Sequence, residues 1–366
     1  MKILLDARLY GLENAGLGRY LINLIDGLIK VDEHNNYTIL LKGNYYDRLR
    51  LPLNWHKVKV NFGHYGWEEQ IKLLFLIKNL DPDLVHFPHF NVPLFCPKPY
   101  VVTIHDMLMH KQRGRDATTL PILEYKFKRI GYRIIFDHAV RFARKVIVPS
   151  NTVRQELISY YGLNPQKIRV TYEGVNELTT KGQTKIKLDK PYFIYTGNAY
   201  PHKNLERAFT AVAQLSEDVV FAIVSSRNVF VERLKQLVNK KSWQGRIKLL
   251  GFVSDENLSN LYRNSLGFLF PSLSEGFGLP GLEAMAAGTL CLCSDIPIFR
   301  EIYKNNAIYF DPKDTNSIKD ALEKVMRMTK EDRQKIIASG KNFVRQYTWD
   351  KMAKLTLEAY ESCLSL

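Results

Sequence analysis

Short apolar runs alternate along this chain with longer stretches whose apolar residues recur every three or four positions. The runs are Met1–Ala7, Tyr37–Lys42, Val58–Val60, Asp83–Phe87, Tyr100–Ile104, Lys145–Ser150 and Ile168–Tyr172, then Tyr192–Thr196, Val219–Val224, Ile247–Leu250, Leu266–Phe270 and Thr289–Cys293. Most are rich in branched and aromatic residues and read as buried strands of a parallel sheet. Between them, Arg19–Ile29 carries apolar residues at 21, 22, 24, 25, 28 and 29, which is a helical period. Trp67–Asn79, the stretch from Asn151 (capped by Ser150 or Asn151), Leu205–Leu215 and Lys351–Leu364 also predict helices. Strands alternating with helices predict sheets covered on both faces.

A length of 366 residues suggests two domains. The polar run up to Lys190 divides the two series of strands and predicts a linker at 176–190. The expected division is a first Rossmann-like domain at 1–175 and a second at 191–346, with a final helical segment at 347–366.

Two stretches join a strand to a helix through glycines. Met1–Ala7 is followed by a loop, Arg8–Gly18, holding Gly11, Gly16 and Gly18. Leu266–Phe270 runs into Pro271–Gly278, then a helical segment with Pro280 near its start and Gly288 where a left-handed cap belongs. Such a loop presents backbone N–H groups at a helix N-terminus, a ready anion site. Glu275 and Glu283 flank its glycines with seven residues between them. Dipole compensation accounts for an acid near a helix start, and solvation accounts for one in a loop. Neither explains the whole string.

That string, FPSLSEGFGLPGLEAMAAG, resembles the signature of the retaining, family 4 glycosyltransferases, whose pattern is E-x7-E around Gly-Phe-Gly-Leu. AGLGRYLINL is similar to the N-terminal glycine loop of the same family, and TGNAYPHKNLERA to its strand-loop segment on the donor diphosphate. The resemblance implies an α/β fold of two facing Rossmann-like domains (GT-B) with a cleft between them. It also implies that the final helix crosses back onto the first domain.

Roles follow from the resemblance. Lys203 and the N–H groups of Gly276, Phe277, Gly278 and Leu279 take the donor diphosphate, with Gly16 and Gly18 across the cleft from it. Glu275 sits by the transferred sugar, Glu283 takes the ribose hydroxyls, and His105 lies near the sugar's C6 hydroxyl. Gly251–Ser254 is similar to the base-binding turn, with backbone contacts at Val253. The family carries an Arg as well as the Lys on the diphosphate; here Asn198 or a neighbour stands in its place, and His202, Arg8 or Arg19 are the groups able to compensate. No metal-binding acidic motif such as Asp-x-Asp is recognised, so no cofactor and no divalent metal are expected.

Composition narrows the setting. Hydrophobic content of 46% and charged content of 24% are ordinary for a globular chain. Cys96, Cys291, Cys293 and Cys363 do not form a disulfide framework and suggest a reducing compartment. Lys2 is followed by three apolar residues before Asp6, too few for a signal peptide, and no apolar run spans a bilayer. The net charge of +15 concentrates between Lys111 and Lys145, where ten Lys or Arg face Asp116, Glu124 and Asp137. Ile122, Tyr125, Phe127, Ile130, Ile134 and Ile135 there read as one helix face with cations beside it, suited to an anionic membrane or to a core with a solvated basic rim. No nucleic-acid module is recognisable.

The expected function is a retaining hexosyltransferase, cytoplasmic and membrane-associated on the cytoplasmic face. Gly-x-Gly-Arg-Tyr resembles the mannosyltransferases of polysaccharide assembly, so GDP-mannose is the first donor and a glycan or lipid-linked sugar the acceptor. The alternatives are a sugar-nucleotide epimerase or hydrolase on the same scaffold, which would release nucleotide without an acceptor, and a non-catalytic sugar-nucleotide-binding protein.

Overall fold

A computed structural model describes residues 1–64, 66–111, 121–176, 186, 188–225 and 229–363. The chain divides into two compact units. The first holds Met1–Lys111, the described residues from 121 to 174 and those from Thr348 onward; the second holds Val175–Tyr347. Most of the expected linker, 176–190, lies outside the described residues.

The first unit begins β1 (Lys2–Leu5), α1 (Ala15–Val31), β2 (Asn36–Leu41), α2 (Gly43–Tyr46), β3 (Trp55–Lys59), α3 (Trp67–Leu80) and β4 (Leu84–Phe87). It continues β5 (Tyr100–Thr103), α4 (Leu108–Lys111), α5 (Ile122–Phe142), β6 (Lys145–Val148), α6 (Asn151–Tyr161) and β7 (Ile168–Val170). Its strands lie in the order β3-β2-β1-β4-β5-β6-β7, all parallel. The strand order reverses beside β1, whose neighbours are β2 and β4. In open parallel sheets ligands bind beyond the strand ends at such a switch point.

The second unit repeats the plan. It runs β8 (Tyr192–Thr196), α7 (Leu205–Ala213), β9 (Val220–Val224), α8 (Val229–Lys240), β10 (Ile247–Gly251), α9 (Asp255–Asn264), β11 (Gly267–Phe270) and α10 (Leu279–Ala287). Then follow β12 (Cys291–Ser294), α11 (Pro297–Tyr303), β13 (Ile308–Phe310), α12 (Thr315–Met326) and α13 (Lys330–Val344). The sheet order is β10-β9-β8-β11-β12-β13, again parallel, with the switch between β8 and β11. The loops leaving β8 and β11 therefore emerge side by side. They carry Lys203 and Glu275.

The chain ends in α14 (Trp349–Glu361), which belongs to the first unit. Thr348 caps it by accepting from the Lys351 N–H at 3.2 Å. Gly27 of α1 lets it approach: a Cβ there would lie 2.7 Å from that of Ala353.

One boundary differs from expectation. Gly16 and Gly18 lie in the first turns of α1, which starts at Ala15 and not at Arg19. A Cβ on Gly18 would fall 1.8 Å from the Gly11 carbonyl oxygen. Gly18 is thus the place where the β1–α1 connection crosses its own helix, a packing demand that outweighs glycine's poor helix propensity.

Candidate active site

The second unit's site is built at its switch point. β8 ends at Thr196, and the chain passes Gly197 (φ 136°) into a short 3-10 turn, Pro201–Lys203. Asn204 then takes a left-handed conformation (φ 57°) before α7. Its side-chain amide donates to the carbonyl oxygens of Pro271 (3.1 Å) and Pro312 (2.8 Å), while Arg207 donates to its Oδ1 at 2.8 Å. The Leu273 N–H donates to the His202 carbonyl at 2.8 Å. Two loops from different strands are thereby locked edge to edge.

Lys203 and Glu275 meet across that seam, Nζ to Oε1 at 2.5 Å, each about a tenth exposed. The ammonium also lies 5.6 Å above the Phe270 ring. His202 beside it has its pKa lowered to about 4 by burial and then by the Lys203 charge, with Glu275 opposing. It is neutral at physiological pH, so it adds no second cation. The Arg8 guanidinium is already spent, buried in the first unit and bonded to Asp6 and Glu69.

Three polar side-chain atoms around this seam, Asn198 Oδ1, His202 Nδ1 and Ser272 Oγ, are buried without a hydrogen-bond partner among the described residues. Buried polar groups are normally satisfied, so orphans clustered at one loop pair mark a place that a polar ligand completes.

Gly278 starts α10 with φ 103°. Its carbonyl accepts from the Tyr303 hydroxyl at 2.5 Å, and a Cβ on Gly278 or Gly281 would lie 2.5 or 2.3 Å from that oxygen. The glycines thus let α11 close against the α10 N-terminus. Gly276 and Leu279 are half-buried and Phe277 is buried, its ring edge-on to Tyr347 at 5.9 Å. Glu283, one turn into α10, is also buried. Val253 is buried after Gly251, which takes φ 74° at the end of β10. Tyr303, Asn204 and Ser272 were not legible as site residues, because α11 and the β8 loop reach α10 only through the sheet order.

The remaining candidates lie in the first unit. His105 follows β5 and donates through Nε2 to the Pro88 carbonyl at 2.9 Å, which leaves Nδ1 facing Glu173 at 3.7 Å. Tyr20 packs edge-on to its ring at 4.6 Å. Glu173 was not singled out from sequence; it arrives from the far side of β7. His86 is an interior residue, its Nδ1 2.6 Å from the Tyr360 hydroxyl and its Nε2 2.8 Å from Thr103 Oγ1.

Asp6, His64 and Glu69 also converge, their ligand-type atoms within 4.8 Å of one another. Arg8 already supplies the positive charge there, bonding Asp6 Oδ1 at 2.7 Å, Asp6 Oδ2 at 2.6 Å and Glu69 at 2.5 Å. Contrary to expectation the chain does hold an Asp-x-Asp spacing, Asp81-Pro-Asp83, but it is spent on structure: Asp81 pairs with Lys98, and Asp83 accepts from the Lys2 N–H at 2.7 Å.

Both halves of this architecture match known families. Residues 15–177 match the model for Glycosyltransferase Family 4, and residues 176–343 match that for Glycosyl transferases group 1. The chain is a glycosyltransferase built of these two family domains. The O-antigen chain mannosyltransferase RfbU of Salmonella typhimurium is 28% identical over 308 residues, 84% of this chain and 79% of that protein. The serotype-specific mannosyltransferase WbdA of Escherichia coli is 29% identical over 96% of this chain and 46% of its own length.

Solved structures agree on the fold. Sucrose-phosphate synthase from Thermosynechococcus elongatus superposes with a TM-score of 0.79 at 18% identity, covering 100% of this chain and 99% of that one. Anabaena Alr3699/HepE, solved with UDP and glucose, gives 0.74 at 18% identity over the whole of both chains. This glycosyltransferase is therefore a GT-B protein with two parallel-sheet α/β units, taking a nucleotide-sugar donor and a glycan acceptor. Among its described residues no helix is long and apolar enough to cross a membrane.

Proposed function

We propose that this glycosyltransferase moves mannose from GDP-mannose to a hydroxyl of a glycan or lipid-linked acceptor during polysaccharide assembly, with retention of anomeric configuration. The Lys203–Glu275 pair beside the N-terminus of α10 carries the reading. As the bond from the anomeric carbon to the diphosphate breaks, negative charge grows on the departing phosphate oxygen. Lys203 and the α10 dipole stabilise that charge, the largest catalytic term available to such a site. They do so without a divalent ion, so activity is expected to survive chelation.

Glu275 accepts from the sugar's hydroxyls and hands the Lys203 ammonium to the phosphate when the donor arrives. Glu283 accepts from the ribose, and the backbone at Val253 meets the base. The acceptor hydroxyl attacks the face the diphosphate leaves, its proton passing to the departing phosphate oxygen, so no carboxylate forms a covalent sugar adduct. The mannosyltransferase names of the relatives support the sugar. The cations of α5 support contact with anionic lipid on the cytoplasmic face of a membrane, where a lipid-linked acceptor resides.

A thermal-shift panel of GDP-, UDP-, dTDP- and ADP-sugars tests the donor, since a ligand that binds only the folded chain raises its apparent stability. GDP-mannose is expected to give the largest shift, and a larger shift with another donor overturns the assignment. The anomeric configuration of the product, read by NMR, tests retention.

A further inference from the structure

Two helices of the first unit turn apolar side chains away from the protein. α3 buries Leu73 and Ile77 and leaves Trp67 (86% exposed), Ile71 and Phe75 (64%) in solvent. α5 buries Tyr132, Phe136, Ala139 and Val140 and leaves Leu123, Phe127 (74%), Ile130 and Ile134 outside. The spacings, four residues on α3 and four, three and four on α5, put each set on one helical stripe. Of the residues that the sequence places on one face of α5, facing a membrane or a core, Phe127, Ile130 and Ile134 are exposed and Tyr125 and Ile135 half-buried; the buried stripe runs through Tyr132 and Phe136.

Both inward sets enter one core cluster with Val85, Phe87, Tyr100, Val102, Val146 and Val148. These strand residues alternate along β4, β5 and β6, so α3 and α5 cover the same sheet face and their exposed stripes point away from it together. Large apolar side chains exposed together on one side of a sheet mark a surface that a partner or a membrane covers.

The chemistry around the stripes chooses the occupant. α5 carries Lys126, Lys128, Arg129, Arg133 and Arg141 against Glu124 and Asp137, a balance of five to two. Lys72 and Lys78 are exposed on α3. An apolar stripe bordered by cations, with a tryptophan at the rim, is the pattern of a helix lying in the headgroup layer of an anionic bilayer.

We propose that α3 and α5 form one lipid-facing platform, α3 inserting Trp67, Ile71 and Phe75 beside the basic stripe of α5. The proposal rests on the membrane reading of α5 above and extends it to a second helix. On its exposed side α3 carries Lys72, paired with Glu68, and Lys78, while Glu69 is buried against Arg8, so its cation excess is a single lysine and its main part in the contact is apolar burial. The two helices thus divide the work, α5 drawing the protein to charged lipid and α3 holding it there.

Co-sedimentation of the full chain with vesicles tests this, using phosphatidylcholine alone or mixed with phosphatidylglycerol. Wild type is expected to bind the mixed vesicles with a blue shift of tryptophan emission. The exposed double variant Trp67→Asn/Phe75→Asn is expected to keep the unfolding midpoint, lose the blue shift and bind at least about tenfold more weakly at both low and high salt. Lys126→Glu/Arg133→Glu is expected to lose mainly the salt-sensitive part of binding. If the double variant binds as wild type does while the charge variant fails, the α3 platform is wrong and the α5 contact stands. Failure of wild type to bind either vesicle overturns both. Concentration-dependent dimerisation of wild type, lost in the double variant without any vesicle binding, assigns the stripe to a second copy and overturns the lipid proposal.

Discussion

The ammonium of Lys203 lies 2.5 Å from a carboxylate oxygen of Glu275, although 72 positions separate them in the chain. The pairing exists because β8 and β11 are neighbours in a sheet where β9 and β10 intervene in sequence. Glu275 is thereby the ion-pair partner of Lys203, and under the proposed mechanism each variant of the pair has a distinct expected phenotype.

Glu275→Ala is expected to abolish transfer while donor affinity stays within about tenfold, because nucleotide contacts carry most of the uniform binding. Single-turnover rates and donor Kd measured on the same preparation check this. Transfer at the wild-type rate removes Glu275 from the chemistry.

Lys203→Ala is expected to cost about 2–4 kcal/mol of transition-state stabilisation, roughly 30- to 900-fold in kcat/KM. Lys203→Arg keeps the charge on a different geometry and is expected to recover part of the loss. Steady-state kinetics with the preferred donor decide it; a kcat/KM unchanged in Lys203→Ala places the ammonium outside the reaction.

Gly281→Ala puts a methyl group 2.3 Å from the Tyr303 hydroxyl oxygen. Overpacking of this kind costs about 1–3 kcal/mol, and at about 2–4 °C per kcal/mol the second unit's melting transition is expected to fall measurably. Gly16→Ala is the contrast, since nothing lies within 4 Å of its added Cβ. Calorimetry should show the first effect and little of the second.

Arg8→Met strips the Asp6 and Glu69 carboxylates of their shared cation where all three side chains are buried. Breaking a buried charge network by removing one partner costs about 3–5 kcal/mol. A urea midpoint for the first unit indistinguishable from wild type contradicts the arrangement. Activity lost without any loss of stability contradicts its structural role.

Burial lowers the His86 pKa to about 3 and that of His202 to about 4, against an ordinary value of about 6.5. Between those values the unfolded chain binds protons that the folded chain refuses, so stability rises with pH there. The stabilisation is complete above about pH 6.5 and is lost as pH falls toward the folded-state values. Urea midpoints are expected to hold between pH 7 and 8 and to drop progressively below pH 6.5. His86→Asn, measured against its own value at pH 7.5, is expected to show a shallower drop.

Much of this protein was legible without a structure. Buried strands announce themselves through unbroken apolar runs such as Tyr192–Thr196, and Glu275 and Glu283 are bound to one glycine loop by a spacing that local sequence records. Helix periods, the Gly288 cap and the strand–loop–helix units around both glycine stretches are likewise properties of residues within a few positions of one another. Tertiary structure decided everything that depends on which strand lies beside which. It joined Lys203 to Glu275, brought Tyr303 against Gly278, and spent Arg8 on Asp6 and Glu69 although its charge alone made it a candidate for the diphosphate. It also chose which stripe of α5 turns inward, because Ile130 and Phe136 are equally apolar as letters and only the sheet beneath the helix distinguishes them. Periodicity reports contacts four residues away; crossover order, which sets contacts seventy residues away, is written in the packing of whole sheets.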